Sequence, residues 1–211
     1  MKKLFFLILF AVSVFLCSCK NELKIKLSDS GISFAYSVSC GKAFVETMQS
    51  LTGEYDENIF SKEDINSFFE SAGFKNLKVQ ILGKESFQVQ GNLAPDGTDA
   101  LSKAGFLSFG KDFLKMSVSA EKLKLFYADL PDDLKAYIDM LMAPSFTGEE
   151  MTNEDYSGLV ETVYGTELAQ ELKTSQIVLY LEIEGKSSKK FSISLVNFLN
   201  MIGTLVFENG N

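Results

Sequence analysis

The sequence predicts an α+β fold: a mainly antiparallel sheet built from hairpins, with amphipathic helices packed on one face. Three observations predict it. Residues 22–28 and 32–39 alternate apolar and polar side chains on either side of a Ser28-Asp29-Ser30-Gly31 turn, the pattern of a hairpin with one buried face. Leu134, Tyr137, Ile138, Leu141 and Met142 recur at the three- and four-residue spacing of an amphipathic helix. Further alternating runs are separated by Gly- and Pro-containing turn signals, so hairpins repeat, and an antiparallel sheet can bury one face and leave the other wetter.

Taken in order, the first strand has Leu23, Ile25 and Leu27 on one face and Glu22, Lys24 and Lys26 on the other. After the turn, Ile32, Phe34, Tyr36 and Val38 alternate with Ser33, Ala35, Ser37 and Ser39. Gly41 to Leu51 switches to helical spacing through Phe44, Met48 and Leu51, and a polar stretch from Thr52 to Asn58 follows. Ser61 with Asp64 three residues on is an acidic capping box for a second helix, which buries Ile65, Phe68, Phe69 and Ala72 and stops at Gly73.

Leu77, Val79 and Ile81 predict a strand, Gly83-Lys84 a turn, and Phe87 with Val89 the return strand. Pro95-Asp96-Gly97 is a turn signal. Leu114, Met116 and Val118 predict another strand, with Lys122 to Tyr127 as its hairpin partner. Pro131 suits the first turn of the helix through Met142, Asp132 and Asp133 suit its positive end, and Pro144 ends it. Asn153 is expected to cap a helix through Tyr156, Leu159, Val160 and Val163, broken at Gly165 before a shorter piece through Leu168 and Leu172. Strands at Gln176 to Glu184, Phe191 to Leu195 and Leu205 to Phe207 complete the chain, the first two joined by a Gly185-Lys186-Ser187-Ser188 turn.

The amino terminus reads as an export signal. Lys2 and Lys3 precede an apolar run from Leu4 to Leu16, too short for a spanning helix, which needs about 20 apolar residues, but suited to a secretory signal peptide. The segment closes on Leu16-Cys17-Ser18-Cys19, which resembles the bacterial lipobox. The resemblance implies a diacylglyceryl group on the Cys19 thiol, cleavage just before it, and acylation of the new amino terminus. Cys17 is the poorer match because it would put bulky Leu16 at the cut. The domains expected are therefore a signal peptide over residues 1–18 and one extracytoplasmic α+β domain over 19–211.

Two residues between Cys19 and the first strand span about 10 Å, so the domain is expected close against the bilayer. Lys20, where a retention Asp would stand in the sorting rule of enteric lipoproteins, implies the outer membrane or cell surface; anchoring in the cell membrane stays open. The layout is also similar to LppM-like bacterial lipoproteins, with an early pair of strands and a helix behind the lipidated Cys and a late hairpin before a terminal strand. That resemblance implies an envelope domain with lipid or glycolipid contact and transfers no site residue.

Composition narrows the chemistry. The 211-residue chain has a net charge of −8, and losing Lys2 and Lys3 leaves 18 lysines against 28 carboxylates. Such a balance argues against nucleic acid as a partner and against adhesion to anionic lipid head groups. There is no His, Arg or Trp. Without His there is no Ser-His or Cys-His nucleophile pair and no usual zinc ligand set. Neither a metal nor a cofactor is called for, and no catalytic residue is assigned. With Cys17 removed and Cys19 capped, Cys40 is expected to be a lone buried thiol.

Acidic clusters at Asp96 to Asp99, at Asp129, Asp132 and Asp133, and at Glu149, Glu150, Glu154 and Asp155 read as turns and helix starts. The candidate groove for an apolar ligand or partner comprises Phe60, Phe68, Phe69, Met140, Met142, Phe146 and Met151, because adaptable Met side chains beside aromatic rings can line such a surface. The expected function is a membrane-anchored, non-catalytic binding or scaffold module of the cell envelope. The alternative is a carrier of lipid or another small apolar ligand; a carboxylate-based hydrolase comes third.

Overall fold

The computed structural model describes residues 19–52, 60–71, 73–93, 100–127, 142, 144–145 and 147–210. The chain is α+β, with nine strands in two mostly antiparallel sheets and seven helices among the described residues. The larger sheet takes its strands from both ends of the chain. The strands β1 (Cys19–Ser28) and β2 (Gly31–Cys40) form a ten-pair antiparallel hairpin, and β3 (Phe74–Ile81) and β4 (Ser86–Leu93) form a second, added through β4 to β2. A third hairpin, β7 (Gln176–Ile183) with β8 (Lys189–Ser194), joins on the other side, so the strand order is β3-β4-β2-β1-β7-β8.

The junction between β1 and β7 is parallel, from Lys20 opposite Gln176 to Leu27 opposite Ile183. This pairing departs from a sheet of antiparallel hairpins alone. Alternation within each strand specifies which face is buried, but nothing local specifies a neighbour that lies so far away in sequence.

The predicted faces of the first hairpin are the observed ones. Ile25, Ile32, Phe34, Tyr36 and Val38 are buried while Lys20, Glu22, Lys24 and Lys26 point outward and are exposed. The helices α1 (Lys42–Thr52), α2 (Lys62–Ser71), α5 (Asn153–Tyr164) and α6 (Thr166–Thr174) contribute Phe44, Val45, Ile65, Phe69, Tyr156, Val160, Leu168 and Leu172 to the same core. The start of α2 follows the capping signal, with the Asp64 amide donating to Ser61 Oγ at 3.2 Å. For α5 the cap is Thr152, one residue before the expected Asn153: its hydroxyl accepts from the Asp155 amide at 3.1 Å and donates to Asp155 Oδ2 at 2.7 Å.

The smaller sheet corrects one expectation. The strand β6 (Phe113–Ser119) lies between β5 (Leu107–Phe109) and β9 (Thr204–Gly210). Residues 122–127 are not its hairpin partner but belong to the helix α4 (Ala120–Tyr127). Lys122-Leu123-Lys124-Leu125 reads equally well with period two; Ser119 decides it, since its hydroxyl accepts from the Lys122 amide at 3.3 Å and so caps a helix. The short helices α3 (Ala100–Lys103) and α7 (Leu195–Leu199) are additions to the expected elements. Leu195, assigned to the preceding strand from sequence, instead opens α7 behind a Ser194 cap that accepts from the Asn197 amide at 3.1 Å.

The helix from Pro131, the Pro95-Asp96-Gly97 turn and most of the 52–58 stretch lie outside the described residues. No helix among the described residues is long and apolar enough to cross a membrane.

Candidate functional site

The residues of the candidate groove fall into two groups. Phe60 and Phe69 are buried, at 3% and 6% exposure, which leaves them little surface for a ligand. Both rings are committed to an aromatic cluster. Phe60 meets Phe87 edge-on at 4.7 Å, Phe69 stacks on Phe34 at 5.1 Å and meets Phe74 at 5.4 Å, and Phe34 lies 4.1 Å from Phe74. Phe68 is half-buried and packs edge-on to Phe69 at 5.1 Å.

Met142 is buried and Met151 is half-buried against the core. Their segment is fastened beside α7: Ser145 Oγ donates to the Leu199 carbonyl at 2.7 Å, and Asn200 Nδ2 donates to the Met151 carbonyl at 2.6 Å. The phenylalanines thus gather by β2, β3 and β4, whereas the Met segment is tied to the end of α7, which follows β8 at the other end of the strand order. Among the described residues the two groups contribute to one core cluster. Met140 and Phe146 lie outside the described residues.

The acidic clusters divide similarly. Asp96 to Asp99, Asp129, Asp132 and Asp133 lie outside the described residues; Glu149, Glu150, Glu154 and Asp155 are exposed. Among the described residues no three His, Cys, Asp or Glu side chains gather closely enough to hold a metal ion.

A more organised arrangement lies where β1 begins and β2 ends. Cys19 and Cys40 are directly opposite in the β1–β2 register. The Cys40 amide donates away from β1, to the Glu85 carbonyl at 2.8 Å, so Cys19 and Cys40 form a non-hydrogen-bonded pair. Such pairs have a Cα separation of about 4.5 Å, within the roughly 4.4–6.8 Å that a disulfide takes. Cys40 is buried and disulfide-bonded, which overturns the expectation that it stands as a lone thiol. That expectation assumed Cys19 already capped, and alternation alone did not reveal that the two cysteines share a register position.

Immediately after Cys40, the N-terminus of α1 is capped by a side chain from far along the chain. Glu171, on α6, accepts from the Ala43 amide at 2.9 Å through Oε2 and from the Phe44 amide at 3.3 Å through Oε1. A carboxylate suits the positive end of the helix dipole. Burial raises the Glu171 pKa above its ordinary value, the two amide donors oppose the rise, and the charges of Glu85 and Glu46 add to it. Gly41 makes the approach feasible, since a methyl group there would overlap the Glu171 carboxyl.

Near the start of the hairpin, the buried Asn21 accepts through Oδ1 from the Tyr36 hydroxyl at 3.0 Å. Burial holds the Tyr36 phenol protonated well beyond its usual range. Sequence reasoning missed Glu171 and Asn21. Asn21 had a readable signal, a polar residue in phase with Leu23, Ile25 and Leu27; Glu171 had none, because its partners lie 127 and 128 residues away. Together these contacts fix the strand end at Cys19 and Cys40 to α1 and α6.

No family model matches the chain, and no curated protein matches it in sequence.

Proposed function

We propose that this chain is exported and held on the outer side of a membrane by lipid on Cys19, where its α+β domain acts as a non-catalytic binding or scaffold module. The observation that carries this reading is that Cys19, the residue at which the lipobox-like pattern ends, is already part of β1. The mature chain would then enter the sheet at its lipidated residue, with no linker between anchor and strand.

The disulfide at Cys40 favours a second reading, that of a secreted domain without a lipid anchor, because such bonds persist in oxidising compartments and are rare in the cytosol. One sulfur cannot hold both a thioether and a disulfide, and Cys19 is the residue opposite Cys40. In the lipoprotein pathway the thioether forms before the signal peptide is cut, which leaves Cys40 reduced. If oxidation captures Cys19 first, the product is a soluble, disulfide-clasped secreted domain. Metabolic labelling with palmitate separates the two. The wild type should incorporate label and fractionate with membranes, and Cys19→Ser should lose both; label retained by Cys19→Ser would refute the anchor at this residue.

A further inference from the structure

Given the lipid anchor at Cys19, we infer that the β3–β4 hairpin tip, led by Leu82, is a second membrane contact that sets the orientation of the domain on the bilayer. This rests on the proposed anchor and adds the surface that faces the lipid. Leu82 is the most exposed large apolar side chain of the described residues, at 57%. It sits at a hairpin tip, with the Leu82 amide donating to the Ser86 carbonyl at 2.9 Å and Gly83 and Lys84 exposed beside it.

The position of the tip relative to the anchor follows from register. Cys19 pairs with Cys40, and Cys40 in turn bonds to Glu85 in the tip, so anchor and tip occupy the same end of the sheet, Glu85 two strand spacings from Cys19 and Leu82, on the β3 side, three, about 14 Å. Because Cys19 is itself part of β1, the acyl chains leave no slack that would let this end swing away from the membrane. An apolar side chain so placed enters the head-group region, and the exposed Lys20 and Lys84 can lie along it with their ammonium groups among lipid phosphates. The exposed carboxylates of Glu85 in the tip and Glu22 on β1 offset these two lysines, so the contact rests on the apolar Leu82 side chain and on the anchor at the same end of the sheet.

The chain has no Trp, so a single introduced indole reports its own surroundings. Full-length Leu82→Trp protein, lipidated in a bacterial host, would be reconstituted into vesicles of phosphatidylglycerol and acyl-brominated phosphatidylcholine. Asp29→Trp, in the exposed turn at the far end of β1, is the comparison, and intact mass reports the lipid on Cys19. The expected result is that the Leu82→Trp protein loses most of its indole emission while the Asp29→Trp protein keeps its own. Lipid on Cys19 with the two variants equally bright overturns the membrane contact alone. Absence of lipid from Cys19 overturns the anchor, and the contact with it.

Discussion

Glu171 reaches the first turn of α1 only because Gly41 has no side chain: both carboxylate oxygens accept backbone amides in the space that a methyl group on residue 41 would fill. The clash in Gly41→Ala falls on the end of a flexible side chain, so Glu171 would swing out instead of the backbone moving. The expected cost is that of a lost cap, about 1 kcal/mol. In a Glu171→Ala background the same substitution should cost much less, a coupling of about 0.5 kcal/mol or more between residues in contact. Urea unfolding of the four variants measures it; additive effects would contradict the geometry.

The same carboxylate gives stability a pH dependence with a definite sign. Its folded pKa is raised by burial, so the folded chain holds the proton more tightly than the unfolded chain, whose value is near 4.5. The stability this contributes is fully present below the unfolded value and is lost as pH rises through the raised one. Relative to Glu171→Gln, the wild type should therefore gain stability as pH falls from neutral and level off below the ordinary carboxylate range. Unfolding midpoints of both proteins across that range test it, and a difference independent of pH would count against a buried, titrating Glu171.

Tyr36→Phe removes the hydroxyl that donates to buried Asn21. The lost bond and the altered solvation of a buried amide should destabilise the protein by about 1–2 kcal/mol. Tyr36 is buried at 6% exposure, and the substitution keeps its ring, so packing against Phe87 is retained. A thermal midpoint unchanged from wild type would show that this hydrogen bond contributes nothing.

Gly91 faces Phe34 directly across the β2–β4 ladder. A Cβ at residue 91 would lie 2.7 Å from Leu77 Cδ2, 2.8 Å from Phe34 Cε1 and 3.0 Å from the Lys75 carbonyl. The Phe34 ring also packs on Phe69 and Phe74, so it has little freedom to yield. Gly91→Ala should destabilise the protein by about 1–3 kcal/mol through overpacking. Calorimetry would read this as a lowered Tm, and a neutral or stabilising effect would mean that the cluster is looser than its geometry implies.

Local patterns were legible where one rule acted alone. Alternation through Ile32, Phe34, Tyr36 and Val38 and the Ser61 cap identified a hairpin and a helix with the correct buried faces, because strand and helix periods are fixed by backbone geometry. Lys122 to Tyr127 was misread because lysine and leucine alternate there at a spacing compatible with both periods, and the deciding group, Ser119, lies outside the segment. The parallel β1–β7 pair and the Glu171 cap were not legible at all, since each joins residues more than a hundred positions apart. Which of the groove aromatics are buried was not legible, as Phe60 and Phe69 show: rings in a core and rings lining a surface are the same residues in sequence.

What remains decisive is the sulfur of Cys19. The protein would be isolated from bacterial membranes without reducing agent, and its amino-terminal peptide analysed by mass spectrometry. The account predicts a chain that begins at Cys19, carries diacylglyceryl on sulfur and acyl on the amino group, and has a reduced Cys40 that a thiol reagent modifies once the chain is unfolded. A Cys19 that is unmodified, or linked to Cys40, would contradict it.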